Sequence, residues 1–263
     1  MQTFSLVGSS QSLDGALSAR FGQLLRSICA HDQWRPAKLW GVRALFFDFD
    51  GLILDTETPE FDAWSAIFRE NGVEFPLDFW VNAVGRGADQ ITERPIDVLE
   101  RLTGRKFDHE VTREAYNDVR MKRIYAEKPL PGILELLSEA RGAGVGCAVV
   151  SSSKHAWVDG HLERLGITHW FQHVICADEV ARAKPFPDLY LEAVRRFGIE
   201  ASQAMALEDS ANGARAAVDA GVFVVAVPNS VTKHLDLSHA NCILPSLGGV
   251  TLADLDRLRE IKI

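Results

Sequence analysis

The sequence predicts an α/β fold: a Rossmann-like parallel sheet core with helices on both faces and an inserted α-helical cap domain. Three observations predict it. From Pro131 onward the chain repeats one unit, in which a helical segment ends in Gly, a short apolar strand follows and a polar residue closes the strand. The strand segments are continuous apolar runs rather than alternating ones, the pattern of parallel strands covered on both faces. Between Thr58 and about Lys128 this rhythm is lost and helical periodicity replaces it.

Taken in order, Ala44–Phe49 reads as the first strand. Phe61, Trp64 and Phe68 then fall at i, i+3 and i+7, giving one apolar helical face that Gly72 ends, with Trp64 assigned to packing. Ile91–Thr103 and Val111–Tyr125 continue the helical segment. The repeating units follow. Ile133–Arg141 leads through Gly144 to Val145–Val150, then Ser151; Ala156–Leu165 leads through Gly166 to His173–Cys176, then Asp178. Asp188–Phe197 leads through Gly198 to Ala204–Leu207, then Glu208 and Asp209; Ala211–Ala220 leads through Gly221 to Val222–Val227. A glycine past each helix can take the left-handed conformation that stops it. The sheet therefore has at least five strands, and the chain divides into an N-terminal extension (1–42), a core (43–57 and 129–263) and a helical cap (58–128).

A chain of 263 residues, 47% hydrophobic and 24% charged, has the profile of a soluble globular protein with a sizeable core. Its net charge of −8, with no dense Lys/Arg run, argues against a broad nucleic-acid surface but leaves room for a small anionic partner at a local cation site. No apolar run approaches a membrane span. The four cysteines lack CxxC spacing, and Cys147 and Cys176 lie in apolar runs, so they read as buried small hydrophobes in a reducing compartment. Met1–Lys38 carries only two acids, Asp14 and Asp32, as a transit peptide would, while Leu13–Ala30 equally forms an amphipathic helix. The structural reading is preferred, and with it a cytoplasmic location.

In open α/β sheets ligands bind beyond the carboxyl ends of the strands. Polar residues collect there in this sequence: Asp48, Asp50, Ser151, Asp178, Glu208 and Asp209. Asp48 and Asp50 flank Phe49, with Gly51 next, and strand alternation would point both carboxylates the same way. Paired acids with a divalent cation supply a nucleophile, a proton donor and charge neutralisation, the needs of phosphoryl transfer. Taken alone, a DxDG segment reads equally well as a solvated turn. Ser151 can donate to a phosphoryl group, Lys184 sits on a proline-stiffened loop, and Glu208-Asp209-Ser210 offers oxygens to a cation such as Mg²⁺ beside a helix start at Ser210.

Four motifs occur in order: Asp48-x-Asp50-Gly51-x-x-x-Asp55-Thr56-Glu57, Val150-Ser151-Ser152-Ser153-Lys154, Lys184-Pro185-x-Pro187-Asp188, and Leu207-Glu208-Asp209-Ser210. Over roughly Arg43 to Leu247 the chain resembles the haloacid dehalogenase superfamily, in the small-helical-cap branch that includes β-phosphoglucomutase-like phosphatases. The resemblance implies that Asp48 attacks phosphorus to give an aspartyl-phosphate and that Asp50 is the general acid and base. It implies Mg²⁺ held by the carboxylates of Asp48 and Asp209 and the backbone carbonyl of Asp50, with Glu208 in or near the next layer out. Ser151, Ser152 and Lys184 would hold the phosphoryl group of a small phosphorylated metabolite.

Two positions depart from the mutase pattern. Glu60 stands where the mutase has a hinge histidine, and Ala88 where it has a cap arginine, with Arg86 close by. Glu60 and Arg86 are therefore the cap candidates. Hydrolysis leads, a β-phosphoglucomutase-type isomerase is the alternative, and a non-catalytic binding protein on the same scaffold is disfavoured by the intact Asp48, Asp50, Lys184 and Asp209. His161, His169 and His173 lack ligand spacing and read as packing or surface residues; Arg195-Arg196 reads as a solvated helix face.

Overall fold

The computed structural model describes residues 41–83 and 93–260. The N-terminal helix expected over Leu13–Ala30, and the cap positions Arg86 and Ala88, lie outside the described residues.

Six strands form one parallel sheet: β1 (Ala44–Phe47), β2 (Gly146–Val150), β3 (His173–Ile175), β4 (Ala204–Glu208), β5 (Phe223–Ala226) and β6 (Cys242–Ile243). Their spatial order is β3-β2-β1-β4-β5-β6. Phe47 of β1 lies opposite Val149 on one side and Leu207 on the other. Around the sheet run α1 (Glu57–Glu70), α2 (Leu77–Ala83), α3 (Pro95–Thr103), α4 (His109–Ala126), α5 (Ile133–Ala143), α6 (His155–Leu165), α7 (Asp188–Phe197), α8 (Ala211–Asp219) and α9 (Leu252–Leu258).

β1 shows why its sequence is apolar at every position. Side chains alternate between the two faces. Leu45 and Phe47 join a cluster with Leu136 and Leu137 of α5, Val158 and Leu162 of α6, and Leu252 and Leu255 of α9. Ala44 and Phe46 join a second cluster with Leu189 and Ala193 of α7 and Ala214 and Ala217 of α8. Gly144, Gly166, Gly198 and Gly221 all have positive φ after their helices, as the repeating unit requires.

The segment between β1 and β2 is helical, and α1 packs against α4. Its apolar residues cluster around Trp64, Phe68, Phe75, Trp80 and Leu99, together with Val231 from the segment after β5, and Trp64 stacks on Tyr116 with centroids 4.6 Å apart. The chain leaves and re-enters the sheet region at one point, where Leu130 N donates to Ile53 O at 2.9 Å.

Several boundaries differ from expectation for local reasons. β1 stops at Phe47, because Phe49 O accepts from the amides of Ile53 (3.0 Å) and Leu54 (3.2 Å) in a tight turn. α4 starts at His109 rather than Val111, since Asp108 caps it by accepting from Glu110 N at 2.9 Å. α3 starts at Pro95, which favours a first helical position, after an extended Arg94; Ile91, where the sequence places its start, lies outside the described residues. The sequence reading missed α2, β6 and α9. Among the described residues no helix is long and apolar enough to cross a membrane.

Candidate active site

The chain leaves β1 toward β2 on one side, while β4 begins the other half of the sheet, so the strand order reverses between β1 and β4. A crevice at such a reversal is where doubly wound sheets bind ligands. Asp48 follows β1, and its amide donates to Leu207 O at 3.0 Å; Glu208 ends β4 and Asp209 follows it. All three side chains are buried.

Lys184 reaches them from the loop before α7 and is 1% exposed. Its ammonium has three protons to give. It donates to Asp48 Oδ1 at 2.8 Å, Val150 O at 2.8 Å and Glu208 Oε1 at 2.6 Å. Tyr190 of α7 donates to the same oxygen of Glu208. Gly213, in the first turn of α8, lies against the Glu208 carboxylate so closely that a Cβ there would fall 2.0 Å from Oε2. Glu208 is thus wedged behind Asp48 by a lysine, a tyrosine and a glycine.

One buried lysine does not balance these acids. Burial and the neighbouring Glu208 push the Asp48 carboxyl up to about 7, with Lys184 pulling the other way. Burial, then Asp48, Glu57 and Glu208, push Asp209 well above the usual carboxylate range. Burial alone would lower the Lys184 ammonium, but Asp48 and Glu208 outweigh it and hold the group charged.

The donor set fits a hard divalent cation. Asp48, Glu208 and Asp209 each offer an oxygen within 4.8 Å of the others. Asp209 Oδ2 accepts from Asn229 Nδ2 at 2.7 Å, whereas its buried Oδ1 has no hydrogen-bond partner among the described residues. Gly51 has φ 79°, and a Cβ on it would stand 2.2 Å from Asp209 Oδ2, so the backbone after Asp50 closes directly on this carboxylate. Oxygen ligands of this kind suit Mg²⁺. A second group, His155, Cys176 and Asp178, also lies within 4.8 Å. There the two ring nitrogens of His155 are taken by Asp159 and Glu179, each at 2.9 Å.

Asp50 lies past the end of β1, and its carboxylate accepts from Thr56 Oγ1 (3.0 Å) and Trp157 Nε1 (2.8 Å) on Oδ1 and from Ser153 Oγ (2.6 Å) on Oδ2. Its charge adds to the upward push on the Asp48 carboxyl. Ser151 is buried after β2 with its Oγ accepting from Ser153 N at 3.0 Å, and Ser152 beside it is half-buried. Asp178 is set apart, its Oδ1 accepting from His155 N at 3.2 Å.

On the helical side, Glu57 is buried with Oε2 unpartnered among the described residues; burial first, then Glu60, Asp50 and Asp48, push it well above the usual range. Glu60 is half-buried and paired with Arg120 of α4. Burial raises its carboxyl while Arg120 pulls it back. In the folded chain the negative charge of Glu60 is thus matched by Arg120. The Arg120 guanidinium also lies 4.9 Å from the Tyr116 ring and 5.4 Å from the Trp157 ring. The sequence reading singled out none of Arg120, Trp157, Tyr190 or Asn229. Among the described residues, His161, His169 and His173 join no metal-ligand group, and His161 packs against Phe49 and Trp157.

Sheet order, inserted helices and a buried acid–lysine centre at the sheet reversal together define a doubly wound α/β protein built for a small charged ligand. Residues 45–227 match the profile of the haloacid dehalogenase-like hydrolases, and the chain belongs to that family. YhcW of Bacillus subtilis (strain 168) is 39% identical over 212 residues, covering 81% of this chain and 95% of that protein. The fructose-1-phosphate phosphatase YqaB of Escherichia coli (strain K12) is 31% identical over 183 residues, covering 70% and 95%. Among solved structures, a mutant of CbbY from Rhodobacter sphaeroides in complex with xylulose-(1,5)bisphosphate superposes with TM-score 0.62 at 26% identity, covering 82% of this chain and 99% of that one.

Proposed function

We propose that this chain is a Mg²⁺-dependent phosphatase that hydrolyses a small phosphorylated metabolite, a sugar phosphate by preference, through an aspartyl-phosphate on Asp48. The observation that carries this reading is the Asp48 carboxylate, buried at the sheet reversal between the Lys184 ammonium and the unpartnered oxygen of Asp209. A purely structural acid has no need of that arrangement.

In this reading an Asp48 oxygen attacks phosphorus and the bond to the leaving oxygen breaks. Asp50 gives its proton to that oxygen, then takes one from the water that attacks the phosphoryl group, so that phosphate leaves and Asp48 is restored. Ser151, Ser152 and Lys184 hold the phosphoryl oxygens. Asp48 and Asp209, with the backbone carbonyl of Asp50, would hold Mg²⁺, and Glu208 would keep Lys184 in place behind them. The ion, when bound, neutralises charge on the phosphoryl group. Residues 58–128 act as a cap that brings Glu60 and Arg120 over the cleft. Support for the sugar-phosphate class comes from the fructose-1-phosphate phosphatase YqaB and the xylulose-(1,5)bisphosphate in the CbbY structure. A cytoplasmic setting suits such a substrate.

The isomerase reading gains one observation: with Glu60 paired to Arg120, its charge no longer disfavours a doubly phosphorylated intermediate. Hydrolysis keeps the lead because Glu60 replaces the hinge histidine of the mutase pattern. The test is release of phosphate from nitrophenyl phosphate and a panel of sugar phosphates with Mg²⁺. Asp48→Asn should lower kcat by at least ~10³-fold without unfolding the chain. Near-normal turnover by that variant overturns the reading.

A further inference from the structure

Asp50 is held by an unusual third donor. A carboxylate has about four lone-pair sites. Thr56 Oγ1 and Trp157 Nε1 fill two on Oδ1, at 3.0 and 2.8 Å, and Ser153 Oγ fills one on Oδ2, at 2.6 Å. One site on Oδ2 is left for a proton in transit. The hydroxyls of Thr56 and Ser153 rotate and can donate elsewhere. The indole N–H cannot, because its direction is fixed by the ring.

That ring is pinned. On one edge Trp157 meets His161 in a T-shaped contact with centroids 4.3 Å apart. The Arg120 guanidinium lies 5.4 Å from its ring and is itself held by Glu60 and by Asn117 Oδ1 at 3.0 Å. Trp157 and His161 belong to α6, which packs on the sheet; Arg120, Asn117 and Glu60 belong to the helical insertion. The indole is therefore the piece through which an arginine of the insertion touches the donor of Asp50.

We propose that Trp157 is a positioning residue for the proton-transfer step: its N–H aims the Asp50 carboxyl at the leaving oxygen, and Arg120 seats the ring when the insertion is docked. The proposal rests on the reading of Asp50 as general acid. The N–H donates to Oδ1 throughout and is not itself transferred; the proton that reaches the leaving oxygen comes from Asp50 Oδ2.

The experiment measures kcat/KM, which reports the first phosphoryl transfer, over dinitrophenyl, nitrophenyl, phenyl and alkyl phosphates. Proton donation matters little for the first and most for the last. Trp157→Phe keeps an aromatic ring and removes the N–H; replacing Trp157 by its benzothiophene isostere removes the N–H with the shape intact, should the phenylalanine variant fold poorly. Loss of a hydrogen bond to a charged group corresponds to about 10- to 100-fold in rate. We expect a loss of that size on the alkyl phosphate, shrinking to under about 3-fold on the dinitrophenyl ester. Arg120→Met should show the same trend at smaller size. Asp50→Asn is the reference. If it shows the steep trend and both Trp157 variants show an equal loss on every substrate, or none, the positioning role is overturned while Asp50 keeps its part. A flat profile for Asp50→Asn overturns the acid reading, and the proposal with it.

Discussion

Replacing Gly213 by alanine sets two effects against each other. Helix propensity alone favours alanine by up to about 1 kcal/mol. Gly213 lies in the first turn of α8, its amide donating to Ser210 Oγ at 3.1 Å. A Cβ at this position would stand 2.0, 2.1 and 2.2 Å from Oε2, Cδ and Oε1 of Glu208. The whole carboxylate must move, and Glu208 is fully buried, so no solvent receives it. Moving it breaks the 2.6 Å contact with Lys184 and the bond from Tyr190. Disrupting a buried ion pair costs about 3–5 kcal/mol. The net expectation is a loss of about 2–4 kcal/mol, opposite in sign to propensity. Urea unfolding gives the number, and Gly160→Ala is the control. Gly160 lies exposed in α6 with nothing within 4 Å of its would-be Cβ, so that variant should gain about 0.5–1 kcal/mol. Activity should fall in the Gly213 variant, because Lys184 loses one of its three anchors, and stay unchanged in the Gly160 variant. A Gly213→Ala protein as stable as the parent would show that Glu208 is not wedged as described.

Further outcomes follow from the same centre. Without metal, stability should fall as pH rises from about 4 toward 7: Asp48 keeps its proton to about 7 in the fold but releases it near 4 when unfolded, so the folded state binds more protons across that window. The slope from one such group reaches about 1.4 kcal/mol per pH unit; melting curves in chelator that rise with pH would contradict it, and adding Mg²⁺ should flatten the trend. Turnover should vanish in excess chelator and be inhibited by Ca²⁺, whose looser shell misaligns the reacting groups; steady-state assays with each ion check this. Supplied with β-glucose 1-phosphate and catalytic bisphosphate, the enzyme should release phosphate faster than it forms glucose 6-phosphate. The reverse ratio would favour the isomerase.

Much of this was legible in the chain. The glycine-punctuated units located four of the strands to within a residue or two at each end, because a buried parallel strand must be apolar at every position and a helix must be stopped before it. Glu208 and Asp209 were legible at the end of a strand that this rhythm locates, Asp48 at the end of the apolar run that became β1, and Lys184 on its proline-stiffened loop. β6 spans two residues, too short to show a pattern, and α9 announces itself only by the Thr251–Asp254 cap. Trp157 was illegible for a different reason: an indole on an amphipathic helix reads as packing, and only the fold reveals that its N–H faces an acid. Arg120 sits on a helix that is largely exposed, where one more cation carries no signal. The end of β1 was placed two residues late, because the apolar run continues through Phe49 into the tight turn that stops the strand.

The single hydrogen bond between Leu130 and Ile53 has a consequence for how such a protein diversifies. Because the inserted helices depart and return at one point, the register of β1 against β2 and β4 is blind to what lies between. Lengthening or exchanging the insertion adds only a slowly growing closure entropy, about 0.6 kcal/mol per doubling. The centre that breaks a bond and the helices that choose which molecule is offered to it can thus drift at different rates. A lineage can trial new substrates by shuffling one excursion of the chain, while the residues beneath it stay as they were.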